Sequence, residues 1–135
     1  MLNFDYLYNL NEKQKEAVTH LNGPLLIVAG AGSGKTKVLT SRICHIILSD
    51  KASPDEILAV TFTNKAANEM LSRILYNLKK RKFGMPWVGT FHSICVKILR
   101  KHASAVNLNY KFTILDQDDQ KKLIKNICKS ENIDT

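Results

Sequence analysis

Two apolar patterns alternate along this chain. Pro24 to Ala29 (PLLIVA) and Ile57 to Phe62 (ILAVTF) are short, nearly continuous apolar runs, the pattern of strands covered on both faces of a parallel sheet. Trp87 to Thr90 predicts a shorter strand, and Phe112 to Leu115 a fourth. Between these runs the spacing becomes helical. Leu39, Ile43, Ile46 and Ile47 share one face of a helix over Thr36–Ser49, and Ala67, Met70, Leu71, Ile74 and Leu78 share one over Asn64–Lys80. Further helices are predicted from Asn11 to Leu21 and from Phe91 to His102. The first has Asn11 as N-cap and Gln14 at capping-box spacing. A last helix opens at Asp116, with Asp118 and Asp119 early and Lys121, Lys122, Lys125 and Lys129 later, as a helix dipole favours. Strands alternating with helices predict an α/β layer architecture with right-handed crossovers. The polar stretch from His102 to Lys111 is the best candidate for a boundary or long connection.

Chemistry enters where the first strand stops. Ala29-Gly30-Ala31-Gly32-Ser33-Gly34-Lys35-Thr36 follows the apolar run and leads into a helix, which is the order a phosphate-cradling loop needs. Gly30, Gly32 and Gly34 are expected to let the backbone curl so that successive N–H groups face a polyphosphate. Lys35 would reach the β- and γ-phosphates, and the Thr36 hydroxyl would ligate Mg²⁺. The positive end of the following helix dipole adds to the same spot. The strict form of this motif has glycine where this chain has Ala29.

Composition narrows the classes. With 135 residues, 44% hydrophobic and 24% charged, the chain is expected to be one globular domain or a domain and the start of another. No apolar run approaches the about 20 residues a bilayer span needs, and MLNFDYLYNL lacks the basic and apolar regions of a signal peptide. Cys44, Cys95 and Cys128 stand far apart at apolar helical positions; they read as buried free thiols, consistent with a cytoplasmic setting. The net charge of +8 is localised: residues 61–115 carry ten basic side chains against Glu69, while the flanking segments nearly balance. Such a segment is the footprint of a polyanion partner. Part of it, Lys79-Lys80-Arg81-Lys82, reads equally as a solvated helix end.

Three more segments line up around the loop: Leu10 to Val18 (LNEKQKEAV), Ala59 to Met70 (AVTFTNKAANEM) and Gly89 to Arg100 (GTFHSICVKILR). In this order and spacing the chain resembles the N-terminal part of bacterial superfamily 1 DNA helicases of the UvrD/Rep/PcrA type. That resemblance implies an incomplete P-loop NTPase (RecA-like) fold, a three-layer parallel sheet with helices on both faces. Residues 1–110 would belong to the first motor domain and 111–135 to the start of a following helical subdomain. It also implies ATP and Mg²⁺ as cofactors, single-stranded and duplex DNA as partners together with the remainder of the helicase chain, and 3′ to 5′ movement. Gln14 becomes the adenine reader, against the capping-box role its spacing already suggests. Lys37 stands where many relatives have an arginine on the nucleotide; lysine keeps the charge and loses the planar fork. Phe62, Thr63, Asn64 and Lys65 at one strand end, and Thr90, His92 and Ser93 at the next, become contacts to a DNA strand. Taken alone, Phe62 reads as core and His92 as a structural histidine.

Hydrolysis needs more than a cradle: an acid for Mg²⁺, a group to position water and an arginine on the γ-phosphate. The family's Asp-Glu-x-Gln-Asp run is not in these residues. Asp116, at the end of an apolar run, is a rival metal ligand, although it reads better as a helix cap. The expectation is therefore a nucleotide-binding portion that does not unwind DNA by itself. A small P-loop kinase or switch, and a non-enzymatic nucleic-acid module, are the alternatives from other classes.

Overall fold

The computed structural model describes residues 5–78 and 84–133. The basic run Lys79–Lys82 lies outside them. The chain divides into two compact units, Met1–Cys95 and Val96–Thr135. In the first, helices α1 (Asp5–Tyr8), α2 (Glu12–Thr19), α3 (Lys35–Leu48) and α4 (Asn64–Asn77) accompany strands β1 (Ala59–Thr61) and β2 (Val88–Thr90). Helix α5 (Phe91–Lys101) begins in this unit and continues into the second, which also holds α6 (Gln117–Ser130).

The apolar faces read from the sequence do the packing. Helix α4 lies on both strands and on α3, and α3 in turn carries α1 and α2. Val18, Cys44, Met70 and Ile74 are fully buried at the centre of this stack, with Val38, Ile43, Ile47 and Val88 around them. Two of the three thiols depart from expectation: Cys44 is buried, whereas Cys95 and Cys128 are half-buried.

The sheet is smaller than the predicted three-layer arrangement. Among the described residues it has two strands, β1 and β2, paired in parallel with Ala59 opposite Val88 and Thr61 opposite Thr90. The run Pro24–Ala29 forms no strand: among the described residues none pairs with it to take its backbone donors and acceptors. Its side chains still alternate, with Leu25 and Ile27 about 40% exposed and Leu26 and Val28 near 90%. Ile57 and Ala59 are buried while Leu58, Val60 and Phe62 are exposed, so β1 is covered on one face instead of the expected two. Phe112–Leu115 is likewise not a strand.

In the second unit, Arg100 lies 5.7 Å over the Phe112 ring. Asp116 is the N-cap of α6: its Oδ1 accepts the N–H groups of Asp118 at 2.9 Å and Asp119 at 2.8 Å. Its carboxylate is engaged as a cap.

Candidate functional site

The glycine-rich loop closes on itself ahead of α3. Gly32 and Gly34 adopt left-handed backbone, with φ of +73° and +87°, a region that costs a side chain steric strain. Gly30 is not left-handed, which corrects the expectation that all three glycines supply curl. Gly30 contributes its carbonyl, which accepts from the Ser33 hydroxyl at 2.7 Å and from the Lys35 ammonium at 2.6 Å. Ala29 is also absent from the left-handed region, so a Cβ there carries no strain of that kind.

Lys35 is folded over this loop, its Nζ donating also to the Ala29 carbonyl at 2.9 Å. Gly34 is the N-cap of α3 and has no side chain to offer its first turn. The leading N–H groups of that helix have no intrahelical acceptor and no capping side chain, and such a helix end favours an anion. Thr36 lies exposed in that first turn. This donor set, an ammonium, helix-terminal N–H groups and a hydroxyl, fits a polyphosphate. For Mg²⁺ Thr36 offers one oxygen, and a bound divalent ion would take its remaining ligands from outside this loop.

Gln14 is brought to the loop from a separate helix. Its Oε1 accepts the Asn11 N–H at 3.0 Å, and Asn11 Oδ1 accepts the Gln14 N–H at 2.9 Å, which completes the capping box. The other end of the same amide, Nε2, donates to the Ser33 carbonyl at 3.1 Å. Capping and a loop contact are thus compatible, because the amide has two ends. Lys37 points elsewhere: its Nζ donates to the Asn9 carbonyl.

Sequence reasoning passed over Arg42. Its guanidinium donates to the Ala17 carbonyl at 2.7 Å and also to the His20 carbonyl, at the C-terminal end of α2. A cation one turn from the end of an apolar helical stripe, opposite a polar helix, was the available signal. The partners lie 25 and 22 residues away, so spacing could not name them.

The two strand-end segments stand side by side. The parallel register places Thr61 opposite Thr90, so Phe62–Lys65 and Phe91–Ser93 leave adjacent strands at the same edge. Phe62 is wholly exposed, which removes the core reading. Thr63 is the N-cap of α4, its hydroxyl accepting from the Ala66 N–H at 3.2 Å, and Asn64 and Lys65 are exposed in the first turn. Thr90 Oγ1 accepts from the Ser93 N–H at 3.3 Å while Ser93 Oγ donates to the Thr90 carbonyl at 2.9 Å. His92 is exposed and sits edge-on to Phe91, 6.3 Å between ring centres. A Cβ at Gly89 would stand 2.7 Å from Ser93 Oγ, so any side chain there would displace that hydroxyl.

Residues 10–135 match the model of the UvrD/REP helicase N-terminal domain. The chain belongs to this family. UvrD/REP-type relatives align along nearly all of it. It is 53% identical over 137 residues to a probable DNA helicase II homolog of Rickettsia conorii, covering 100% of this chain and 20% of that protein. An ATP-dependent DNA helicase PcrA of Staphylococcus epidermidis is 52% identical over 127 residues, covering 94% of this chain and 17% of its own length. The PcrA of a Staphylococcus aureus strain is 50% identical over 129 residues, covering 96% and 18%. The chain thus spans about a fifth of the length of the curated relatives it matches.

Proposed function

We propose that this chain is the N-terminal ATP-binding portion of an ATP-dependent 3′ to 5′ DNA helicase that moves along single-stranded DNA. The observation that carries the reading is Lys35, held by the Ala29 and Gly30 carbonyls at the mouth of α3. That ammonium has two neutral acceptors where a triphosphate would offer charged ones. An anionic phosphate makes the stronger, charge-assisted bond, so Lys35 leaves the loop carbonyls for the ligand. Bound MgATP supplies the hydrolysable phosphoanhydride. Thr36 provides a metal ligand, the loop N–H groups from Gly30 to Thr36 hold phosphate oxygens, and Gln14 reads the adenine edge with its donor and acceptor.

The load is a DNA strand. Phe62 offers an exposed face for a base to stack on, and Thr63, Asn64, Lys65, Thr90, His92 and Ser93 offer donors to its phosphates. We assign residues 1–110 to the first RecA-like motor domain and 111–135 to the start of a helical subdomain, in a protein of the cytoplasm. The remainder of the helicase chain supplies the Mg²⁺-binding acid and the arginine on the γ-phosphate. Alone, these 135 residues bind nucleotide and do not unwind duplex DNA.

Titration of the chain with a fluorescent ATP analogue tests the reading. Lys35→Ala should weaken binding by at least about tenfold, the worth of a charge-assisted hydrogen bond. Equal affinity in wild type and Lys35→Ala would refute the phosphate cradle. DNA-stimulated ATP turnover by the fragment would refute its inactivity.

A further inference from the structure

Helix α2 is eight residues long and buries Val18 alone, too short and too polar to hold its place by propensity. Yet it carries Gln14, whose amide lies against the phosphate loop. We propose that Lys37 and Arg42, both on α3, are positioning residues for nucleotide-base selection. They hold the two ends of the segment that carries Gln14, and this rests on the reading of Gln14 as the base reader.

At the leading end, Lys37 Nζ donates to the Asn9 carbonyl, two residues ahead of the Asn11 cap. At the trailing end, the Arg42 guanidinium donates to the Ala17 and His20 carbonyls. Those carbonyls belong to the last turn and C-cap of α2, where the backbone lacks intrahelical donors and the dipole favours a cation. Gln14 lies between the two clamps. Both cations rise from α3, the same helix whose N-terminus follows the phosphate loop. Base reader and phosphate cradle are therefore referenced to one rigid element.

This geometry separates two tasks. Phosphate affinity depends on the loop and Lys35, which neither clamp touches. Base selection depends on where the Gln14 backbone sits, because its amide must turn from Ser33 and Asn11 to meet a base edge. A fixed backbone lets the amide turn about its own side-chain bonds. A loose one spreads the amide over positions that match adenine and guanine alike, and selectivity falls. Lys37 thus acts through the Asn9 carbonyl, not on the nucleotide.

The test is competition binding of ATP, GTP and inorganic tripolyphosphate to the 135-residue chain, with thermal unfolding measured alongside. Gln14→Ala should lose the preference for ATP over GTP. Arg42→Gln combined with Lys37→Met should lower that preference about tenfold, toward the Gln14→Ala value, with tripolyphosphate affinity unchanged. Arg42→Lys, which keeps a cation and one carbonyl bond, should lose less than the double variant, about threefold. If Arg42→Gln does not fold, Lys37→Met and Arg42→Lys carry the test, each expected to reduce the preference by about threefold. Clamp variants that keep the full ATP preference, while Gln14→Ala loses it, overturn the inference and leave the base reading standing. Equal losses for ATP, GTP and tripolyphosphate overturn it too, since they mark a general structural role. A Gln14→Ala variant that keeps the preference, or a wild type with none, overturns the base reading and this inference together.

Discussion

Gly34→Ala should be the most damaging small change in the phosphate loop, and Gly30→Ala the mildest. Gly34 has φ of +87°, and left-handed backbone costs an L-residue about 1–2 kcal/mol. A Cβ at Gly34 would also stand 3.2 Å from Gln14 Nε2, tighter than an ordinary contact. The Gln14 amide has to shift by a few tenths of an ångström to relieve it. The backbone cost of about 1–2 kcal/mol is roughly five- to thirtyfold in ATP affinity if the cradle must hold this conformation to bind. Gly30 has neither liability: its φ is not left-handed, and a Cβ there meets nothing within 4 Å. Gly32 falls between, with φ of +73° and open space around it. Titration with a fluorescent ATP analogue, read beside urea unfolding, gives the order. If Gly34→Ala binds like wild type, or Gly30→Ala binds worse than Gly34→Ala, the assignment of roles within the loop is wrong.

Phe62→Ala should leave stability within about 0.5 kcal/mol, because the ring is wholly exposed. It should weaken oligo-dT binding by about 1–3 kcal/mol in fluorescence anisotropy, and unchanged binding would remove it as a stacking platform. Ile74→Ala, at a fully buried site on α4, should cost about 2–5 kcal/mol in urea unfolding. Acid should destabilise the fold through His45. Its Nδ1 lies 3.0 Å from the Tyr6 hydroxyl, whose own pKa is pushed up to about 12 by burial and the neighbouring Cys44. Burial, then the nearby Arg42 charge, holds the imidazole below its ordinary 6.5. The unfolded chain takes up that proton first as pH falls. Stability is therefore intact above about pH 6.5 and declines as pH drops from there through the lower folded-state value. His45→Gln should flatten this part of a pH–stability curve, and an unchanged slope would assign it to other groups.

What the residues announced by themselves was local. The apolar stripes of α3 and α4, the Asn11–Gln14 capping box, the Asp116 cap and the glycine-rich loop all rest on neighbours within six positions. Such contacts follow from chain geometry alone. The motif order around the loop also carried the family, because four segments in register are more specific than one.

The tertiary structure decided what depended on distant partners. Leu25–Val28 has strand composition, but among the described residues no strand pairs with it, and a ladder cannot form from one side. Phe62 changed from core candidate to exposed ring because β1 is covered on one face. Equivalent glycines became unequal once their φ values were set by the turn. Gln14 met Ser33 across 19 residues, Arg42 met Ala17 across 25, and Lys37 met Asn9 across 28. No periodicity encodes such pairs. They arise only when tertiary packing brings a donor to a distant carbonyl.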